Sequence, residues 1–139
     1  MPANKTTAAN AVSASDGESM NKSEHRIQDE IRLALSRYGI VLRLNSGKAY
    51  GGNRVWDPRR QEYILTDLRT IALCPKGTAD LVFFGADGKT AFIECKDYRG
   101  RAREDQKQFM EIMKKYGYRC GVARNVEDAL KIIGRVEHE

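Results

Sequence analysis

Two short apolar segments around an Asp-Gly turn constrain the fold more than any other feature of this chain. The segments at positions 81–84 and 90–95 are rich in β-branched and aromatic residues, and the turn at 86–89 reads Ala-Asp-Gly-Lys. This pattern predicts a β-hairpin of two antiparallel strands. Asp80 would begin the first strand and Glu94 would end the second, so both carboxylates are expected at the same end of the hairpin.

A lysine follows the second acid at the spacing of a strand. Lys96 is two residues after Glu94, which puts both side chains on one face, whereas Cys95 points to the other. Close carboxylates repel, so a cation or a proton must lie between them. Mg²⁺ prefers oxygen ligands, and a neighbouring lysine could orient a metal-bound water or neutralise a phosphate. The alternative is a surface hairpin with solvated charges, which the adjacent apolar runs disfavour.

The length and charge of the chain limit what this hairpin can belong to. With 139 residues the chain is expected to form one domain with a substantial core. The formal charge of +5 is spread along the sequence, which favours an anionic partner such as nucleic acid. No apolar run is long enough to span a membrane, and the first residues lack the pattern of a signal peptide, so we expect a soluble cytoplasmic protein. The spacing of the three cysteines predicts neither structural zinc nor disulfides: Cys74, Cys95 and Cys120.

Apolar periodicity predicts the elements around the hairpin. Residues 1–22 are small and polar, which predicts a disordered tail. A first helix is expected from Glu24 to about Tyr38, with Ser23 as its cap and Gly39 at its end. Its expected buried stripe comprises Ile27, Ile31, Ala34, Leu35 and Tyr38.

Further elements are predicted on both sides of the hairpin. A strand is expected at 41–44, a helix from about Arg103 to Tyr116, a strand at 119–123 and a last helix at 126–133. The helix between two strands predicts a parallel crossover, hence a three-layer α/β domain with a mixed sheet and with the acids at an edge of the sheet. The expected apolar side of the second helix comprises Phe109, Met110, Ile112, Met113 and Tyr116.

The first helix offers a third carboxylate. At about 100° per residue, Glu24 lies roughly 36° from the centre of the apolar stripe and Glu30 roughly 84°. Glu24 therefore faces the core most nearly, and it is the candidate to join Asp80 and Glu94. The alternative is a solvated glutamate favoured by the helix dipole.

Basic residues flank these acids in the sequence. The segment at 48–75 interleaves arginines with Tyr50, Trp56 and Tyr63, a composition compatible with phosphate contacts and base packing. A solvated loop with a short strand near 63–66, its aromatic residues folded onto the core, fits the same composition. The candidate DNA-binding residues are Arg54, Arg59, Arg60, Lys76, Arg99, Arg101 and Arg103.

A glutamine on the second helix is the last candidate. Gln106 precedes Phe109 by three residues and so lies on the same side of the helix, near its N-terminus. An inward amide there could bind a phosphate or a metal-bound water. It could equally satisfy a hydrogen bond of the core.

The order of these pieces resembles the PD-(D/E)xK nuclease superfamily, and more narrowly its stand-alone VRR-NUC domains of phages and bacteria. The resemblance covers residues about 23 to 133. It implies a nuclease domain at 23–139, preceded by the tail at 1–22 and interrupted by an insertion at about 48–75. One departure is Ala79, where the family usually has proline before its aspartate. The matching pieces are Ser23-Glu24, Ile27-Gln28, Asn45, Gly77-Thr78-Ala79-Asp80, Glu94-Cys95-Lys96, Gln106 with Phe109, and Gly117.

This resemblance implies a divalent-metal-dependent DNA endonuclease in a bacterial or phage-infected cell. Glu24, Asp80, Glu94 and the backbone carbonyl of Cys95 would bind Mg²⁺ or Mn²⁺. Lys96 would position the attacking water and Gln106 would orient the site. Small phage members resemble Holliday-junction resolvases and act as homodimers, so branched DNA and a second copy of the chain are the implied partners.

Other functions compete with this interpretation. The same fold could bind nucleic acid or a protein without cutting, could act as a flap or general DNA nuclease, or could serve a structural role in a virion. Other catalytic chemistries are disfavoured by the sequence, because it has two histidines, no Gly-rich phosphate loop followed by Lys-Ser/Thr and no Gly-x-Ser-x-Gly motif.

Overall fold

The structure is a computed structural model that describes residues 22–135. The predicted tail at 1–22 lies outside the described residues except for Lys22. Within the described residues, no helix is long and apolar enough to cross a membrane. The elements are, in chain order, α1 (Glu24–Leu35), β1 (Gly39–Arg43), β2 (Lys48–Asp57), β3 (Glu62–Ala72), β4 (Leu81–Gly85), β5 (Thr90–Cys95), α2 (Glu104–Lys115), β6 (Arg119–Ala123) and α3 (Val126–Ile132).

Four strands form the central sheet in the order β1-β4-β5-β6. Strands β1, β4 and β5 pair antiparallel, whereas β5 and β6 run parallel through the crossover helix α2. The predicted hairpin is confirmed as β4 and β5, with Leu81 opposite Ile93. Its turn is closed by the Gly85 amide, which donates to the Lys89 carbonyl at 2.8 Å. The sheet is therefore mixed, as expected.

Helices cover both faces of this sheet. On one face, alternate residues of β4 and β5, among them Leu81 and Ile93, form a buried cluster with α1 and α3. On the opposite face, Phe92 packs edge-on against Phe109 of α2, with ring centroids 5.4 Å apart. The predicted three-layer α/β architecture is thus confirmed.

The first helix is shorter than predicted. It ends at Leu35, and Gly39 begins strand β1 instead of closing the helix. Gly39 pairs with Gly85, and a Cβ atom at Gly39 would collide with the Phe84 carbonyl, so glycine serves close strand packing here. Within the predicted stripe, Ile27, Ile31 and Leu35 are buried, whereas Ala34 and Tyr38 are only partly buried.

Helix α2 buries fewer residues than its apolar pattern suggests. Met110 is buried and Phe109 contacts Phe92, but Ile112 and Tyr116 are 45% and 70% exposed. The main contacts of the helix with the sheet are to strands β5 and β6, so only one narrow side of it meets the sheet. The expectation that Ile112 and Tyr116 belong to the buried side is therefore wrong.

The segment between β1 and β4 differs most from expectation. It is a long antiparallel hairpin of β2 and β3, here called the arm (residues 48–72), instead of a loop with one short strand. Its turn follows Asp57, whose Oδ1 accepts from the Arg59 amide at 2.9 Å, and Gln61 adopts a positive φ of 55°. Non-glycine residues rarely take that conformation, which is why the sequence carries no recognisable hairpin turn.

The arm extends away from the core. No residue of β2 or β3 is buried, and Tyr50 and Tyr63 are 64% and 56% exposed. The alternative in which the aromatic residues fold onto the core is therefore wrong. Trp56 instead packs edge-on against Tyr63 at 5.1 Å between centroids, and the Arg54 guanidinium lies 3.8 Å from the centre of the Tyr63 ring.

Backbone hydrogen bonds fix the base of the arm. The Gly47 amide donates to the Cys74 carbonyl at 3.0 Å, and the Cys74 amide donates to the Asn45 carbonyl at 2.9 Å. These bonds close the chain on itself where it leaves and re-enters the core. The arm is thus a self-contained ribbon on a closed base.

Removing the outer arm should leave the core folded, because the arm contributes no buried residue to it. We expect that replacing residues 51–69 with Asn-Gly, which joins the facing pair Tyr50 and Thr70, changes the melting temperature by no more than about 4 °C. Thermal unfolding followed by circular dichroism measures this. Phe83→Ala, which opens a core cavity, is the positive control and should clearly lower the melting temperature. Loss of a cooperative transition in the arm-deleted protein would contradict the expectation.

Candidate metal centre

The two hairpin acids meet at the end of the central strands. Leu81 and Ile93 pair across β4 and β5, so the next facing residues are Asp80 and Glu94. The Cys95 amide donates to Asp80 Oδ2 at 2.8 Å, which holds the aspartate against the backbone of β5. Because β1 and β6 occupy the outer positions, the acids lie at the end of two inner strands and not at an edge of the sheet. The sequence-based expectation of an edge site is corrected in this respect.

Glu94 is almost completely buried. It is 1% exposed, and its Oε1 accepts from Gln106 Nε2 at 2.7 Å. Its second oxygen, Oε2, is buried and has no hydrogen-bond partner within the described residues. A buried carboxylate oxygen without a donor destabilises the folded state, and a proton or a cation bound to this atom would remove that effect.

Lys96 lies between two acids. Its ammonium group is 3.5 Å from Glu94 Oε1 and 3.9 Å from Glu24 Oε1, and the residue is 7% exposed. The Lys96 amide also donates to the Ala123 carbonyl at 3.1 Å, which anchors its backbone to β6. Cys95 points to the opposite, apolar face and is fully buried, as strand alternation predicts, and burial raises the pKa of its thiol.

The helical acid nearest this pair is Glu24. Carboxylate oxygens of Glu24, Asp80 and Glu94 all lie within 4.8 Å of one another. Glu30, by contrast, binds Lys22 at 2.9 Å and Arg26 at 3.4 Å. The geometric preference for Glu24 over Glu30 is confirmed, whereas its role as a metal ligand stays a prediction. The Glu24 side chain is 46% exposed, so the cluster opens to solvent on the side of α1.

The environment of Glu94 disfavours its charged form. Burial, and after it the nearby charge of Asp80, raise the pKa of Glu94 to about 8, against an opposing effect of Lys96. One lysine therefore does not balance three carboxylates in this space. A hard divalent cation fits the donor set, since every side-chain donor of the trio is an oxygen and Glu94 Oε2 is free to coordinate.

Gln106 positions Glu94 and caps its own helix. While its Nε2 donates to Glu94, its Oε1 accepts from the Arg103 amide at 2.9 Å. Both ends of the side-chain amide are thus engaged by the protein. Of the two alternatives for Gln106, this geometry favours an internal hydrogen bond that orients the site over direct contact with a phosphate.

The candidate DNA-binding residues fall into two groups. Arg99, Arg101 and Arg103 are exposed on the loop that follows Lys96 directly. Lys76 is exposed just before the Asp80 turn, whereas Arg54, Arg59 and Arg60 are exposed on the arm. Lys76 and the three loop arginines thus lie close to the acids along the chain and form the first group. Arg54, Arg59 and Arg60 on the arm form the second.

Sequence reasoning missed Arg124, which shapes the basic loop. Its guanidinium donates to the carbonyls of Asp97 and Gly100, the latter at 2.7 Å. Asp97 Oδ1 meanwhile accepts from the Arg99 and Gly100 amides at 3.0 and 2.6 Å. The loop is thus preorganised, but a single arginine after a strand gives no sequence signal of such a role.

The raised pKa of Glu94 predicts a pH-dependent stability. Between the ordinary value of 4.5 and about 8, the folded chain holds a proton that the unfolded chain releases. The free energy of unfolding should therefore fall as pH rises through this window when no metal is present. Glu94→Gln should remove that decline, and Mg²⁺ should reduce it in the unmodified protein.

Thermal unfolding at pH 5 and pH 8, with EDTA or with Mg²⁺, measures this effect. Glu104→Gln is the matched control, because Glu104 is an exposed acid on α2 and its neutralisation should leave the decline unchanged. Equal pH dependence of the unmodified and Glu94→Gln proteins would contradict the prediction.

No protein-family model matches the chain, and no curated protein matches it. Function is therefore inferred from the side chains gathered around Glu94.

Proposed function

We propose that this protein is a divalent-metal-dependent DNA endonuclease. The observation that carries the proposal is the convergence of Glu24, Asp80 and Glu94 with a buried Lys96 beside them. Three oxygen donors around an unpartnered Glu94 Oε2 are suited to Mg²⁺ or Mn²⁺. The basic residues near the site and the net charge of +5 support a phosphate-containing substrate.

The finer fold assignment belongs to the same proposal. We propose that the core is that of the PD-(D/E)xK nucleases, with the VRR-NUC domains as its nearest type. With the arm set aside, the chain reads helix, three antiparallel strands, helix, parallel strand and helix, and the motif residues lie at the ends of these elements. The resemblance in motif order and this arrangement support each other.

Each residue of the site has a distinct task in the proposed hydrolysis. Glu24, Asp80, Glu94 and the carbonyl of Cys95 would hold the ion, which supplies Lewis acidity and a water of lowered pKa when bound. Lys96 places a positive charge where charge develops on the scissile phosphate, or orients the attacking water. Gln106 holds Glu94 by its 2.7 Å hydrogen bond and so fixes the direction of the carboxylate.

We further propose that two copies of the chain act together on branched DNA. The described residues hold one acid cluster and hence one proposed cutting centre, whereas a two-fold dimer can nick two symmetry-related strands. The arm supports this proposal, because it exposes several large apolar side chains, distributed over its two faces, that a partner could cover: Tyr50, Val55, Trp56, Tyr63, Leu65, Leu68 and Ile71. Light scattering should then report a dimer for the full chain and a monomer for the arm-deleted protein.

Cleavage should depend on the acid cluster. We expect Asp80→Asn, Glu94→Gln and Lys96→Ala each to lower the Mg²⁺-dependent cleavage rate at least about a hundredfold, since each removes a charge that acts on the reacting phosphate or its ion. DNA affinity should fall much less, because the basic surface is intact. The assay is cleavage of four-way junction, flap, single-stranded and linear DNA, with Mg²⁺ and with EDTA.

Glu24→Gln and Glu30→Gln form a matched pair for the third acid. Both neutralise one glutamate of α1, but only Glu24 approaches Asp80 and Glu94. The first should impair cleavage strongly and the second should not. DNA binding without cleavage by the unmodified protein would instead favour a binding module, and equal cutting of all substrates would favour a general nuclease.

The basic loop after Lys96 should contribute to the salt dependence of DNA binding. Replacing Arg99, Arg101 and Arg103 with alanine should reduce the slope of log K against log salt by about 0.9 for each phosphate that these arginines neutralise. Fluorescence anisotropy at several salt concentrations measures the slope. Arg37, Lys89 and Lys114 form the control triple. All three are exposed and lie far along the chain elements from the acids: Arg37 just after α1, Lys89 in the turn of the β4–β5 hairpin and Lys114 near the C-terminus of α2. An equal change in both triples would argue against a localised DNA-binding surface.

A further inference from the structure

A cavity of about 430 Å³ lies beside the acid cluster. One of its walls comes from Gln28 on α1, and Asp80 lines it as well. Ala49 of β2 and Leu73, which directly follows β3, also line it. Its volume falls within the range of small-ligand pockets, and any occupant would lie next to a carboxylate of the candidate metal centre.

Gln28 is the unusual group in this cavity. The residue is 7% exposed, and its Oε1 is buried without a hydrogen-bond partner within the described residues. Gln28 follows Glu24 by four residues, so it lies one turn further along the same side of α1. A buried acceptor without a donor is destabilising, and because Gln28 also lines the cavity, its side-chain amide would gain a partner by turning towards an occupant.

The remaining lining suits a nucleobase better than a bare anion. Asn45 and Ser46 add an amide and a hydroxyl, while Leu44, Ala49 and Leu73 supply apolar surface. Side-chain amides match the paired donors and acceptors on base edges, and apolar walls suit the flat faces of a base. Arg43, also on the lining, is exposed and carries the one positive charge found there.

We propose that this cavity binds the base of an unpaired nucleotide whose backbone lies at the acid cluster. The proposal rests on the proposed nuclease function and adds a substrate class to it. A paired base is stacked within its duplex and cannot enter such a recess, whereas a bulged, flapped or single-stranded nucleotide can. Gln28 and Asn45 are the base-reading residues, and Arg43 contacts the neighbouring phosphate.

Binding to two bulged duplexes tests the proposal. They are identical except that the single bulged nucleotide carries a base in one and is abasic in the other. Fluorescence anisotropy in Ca²⁺ without Mg²⁺ measures their affinities. We expect the base-bearing duplex to bind about tenfold more tightly to the unmodified protein, the size of one good base contact.

Substitutions assign that preference to the cavity. Gln28→Met keeps the length of the side chain and removes its amide, so it should bring the affinity ratio close to one. Gln108→Met is the matched control, because Gln108 is an exposed glutamine of α2, and it should keep the ratio. If Gln28→Met unfolds, Asn45→Ala tests the same cavity. Asn45 is exposed, so this substitution should not disturb the core.

The possible results distinguish the proposed base-binding cavity from the proposed nuclease activity. A base-dependent ratio that disappears with Gln28→Met or Asn45→Ala supports the cavity even if the protein never cuts DNA. If the protein cleaves DNA but binds the base-bearing and abasic duplexes equally, the base-binding proposal is wrong and the nuclease proposal stands. A ratio that survives both substitutions would also overturn the base-binding proposal, since the base would then be read elsewhere.

Discussion

The close approach of two carboxyl groups at the end of β4 and β5, one of them almost completely buried, is the constraint on which the rest of the structure depends. Asp80 and Glu94 face each other because the apolar residues of the two strands fix their register. A slip of β5 by one residue would turn Ile93 towards the site and carry Glu94 into the core cluster. The hydrophobic effect thus holds two carboxylates together that electrostatics alone would separate.

Other elements of the fold serve this acid pair. The segment before Asp80 passes so close to α2 that a Cβ atom at Gly77 would lie 2.7 Å from the Asp105 carbonyl, and Gly77 has a φ of 95°. Glycine meets both demands at once. That close approach brings the N-terminal turn of α2 beside the hairpin, where Gln106 reaches Glu94. The turn before Asp80 and the helix that orients Glu94 are therefore fixed against each other.

Local patterns were sufficient to predict the hairpin, the acid cluster and the order of the core elements. Two short apolar segments flank an Asp-Gly turn, and the geometry of a helix ranks Glu24 above Glu30 without any tertiary information. The arm could not be predicted in the same way, because neither of its faces is buried and its turn places Gln61, a non-glycine, in the left-handed region. Gly39 was misread for a related reason: its close neighbour, the Phe84 carbonyl, is distant in sequence.

Residues at the base of the arm and Asp80 of the acid cluster line the same cavity. An isolated two-stranded ribbon is only marginally stable, and this one is supported by cross-strand pairs such as Trp56 with Tyr63 and by the backbone bonds at its base. Ala49 and Leu73 belong to that base and also line the cavity beside Asp80. The same two residues thus serve both features. Under the proposed function, a partner on the arm and a nucleotide in the cavity would share these two residues, and we expect the binding of one to affect the binding of the other.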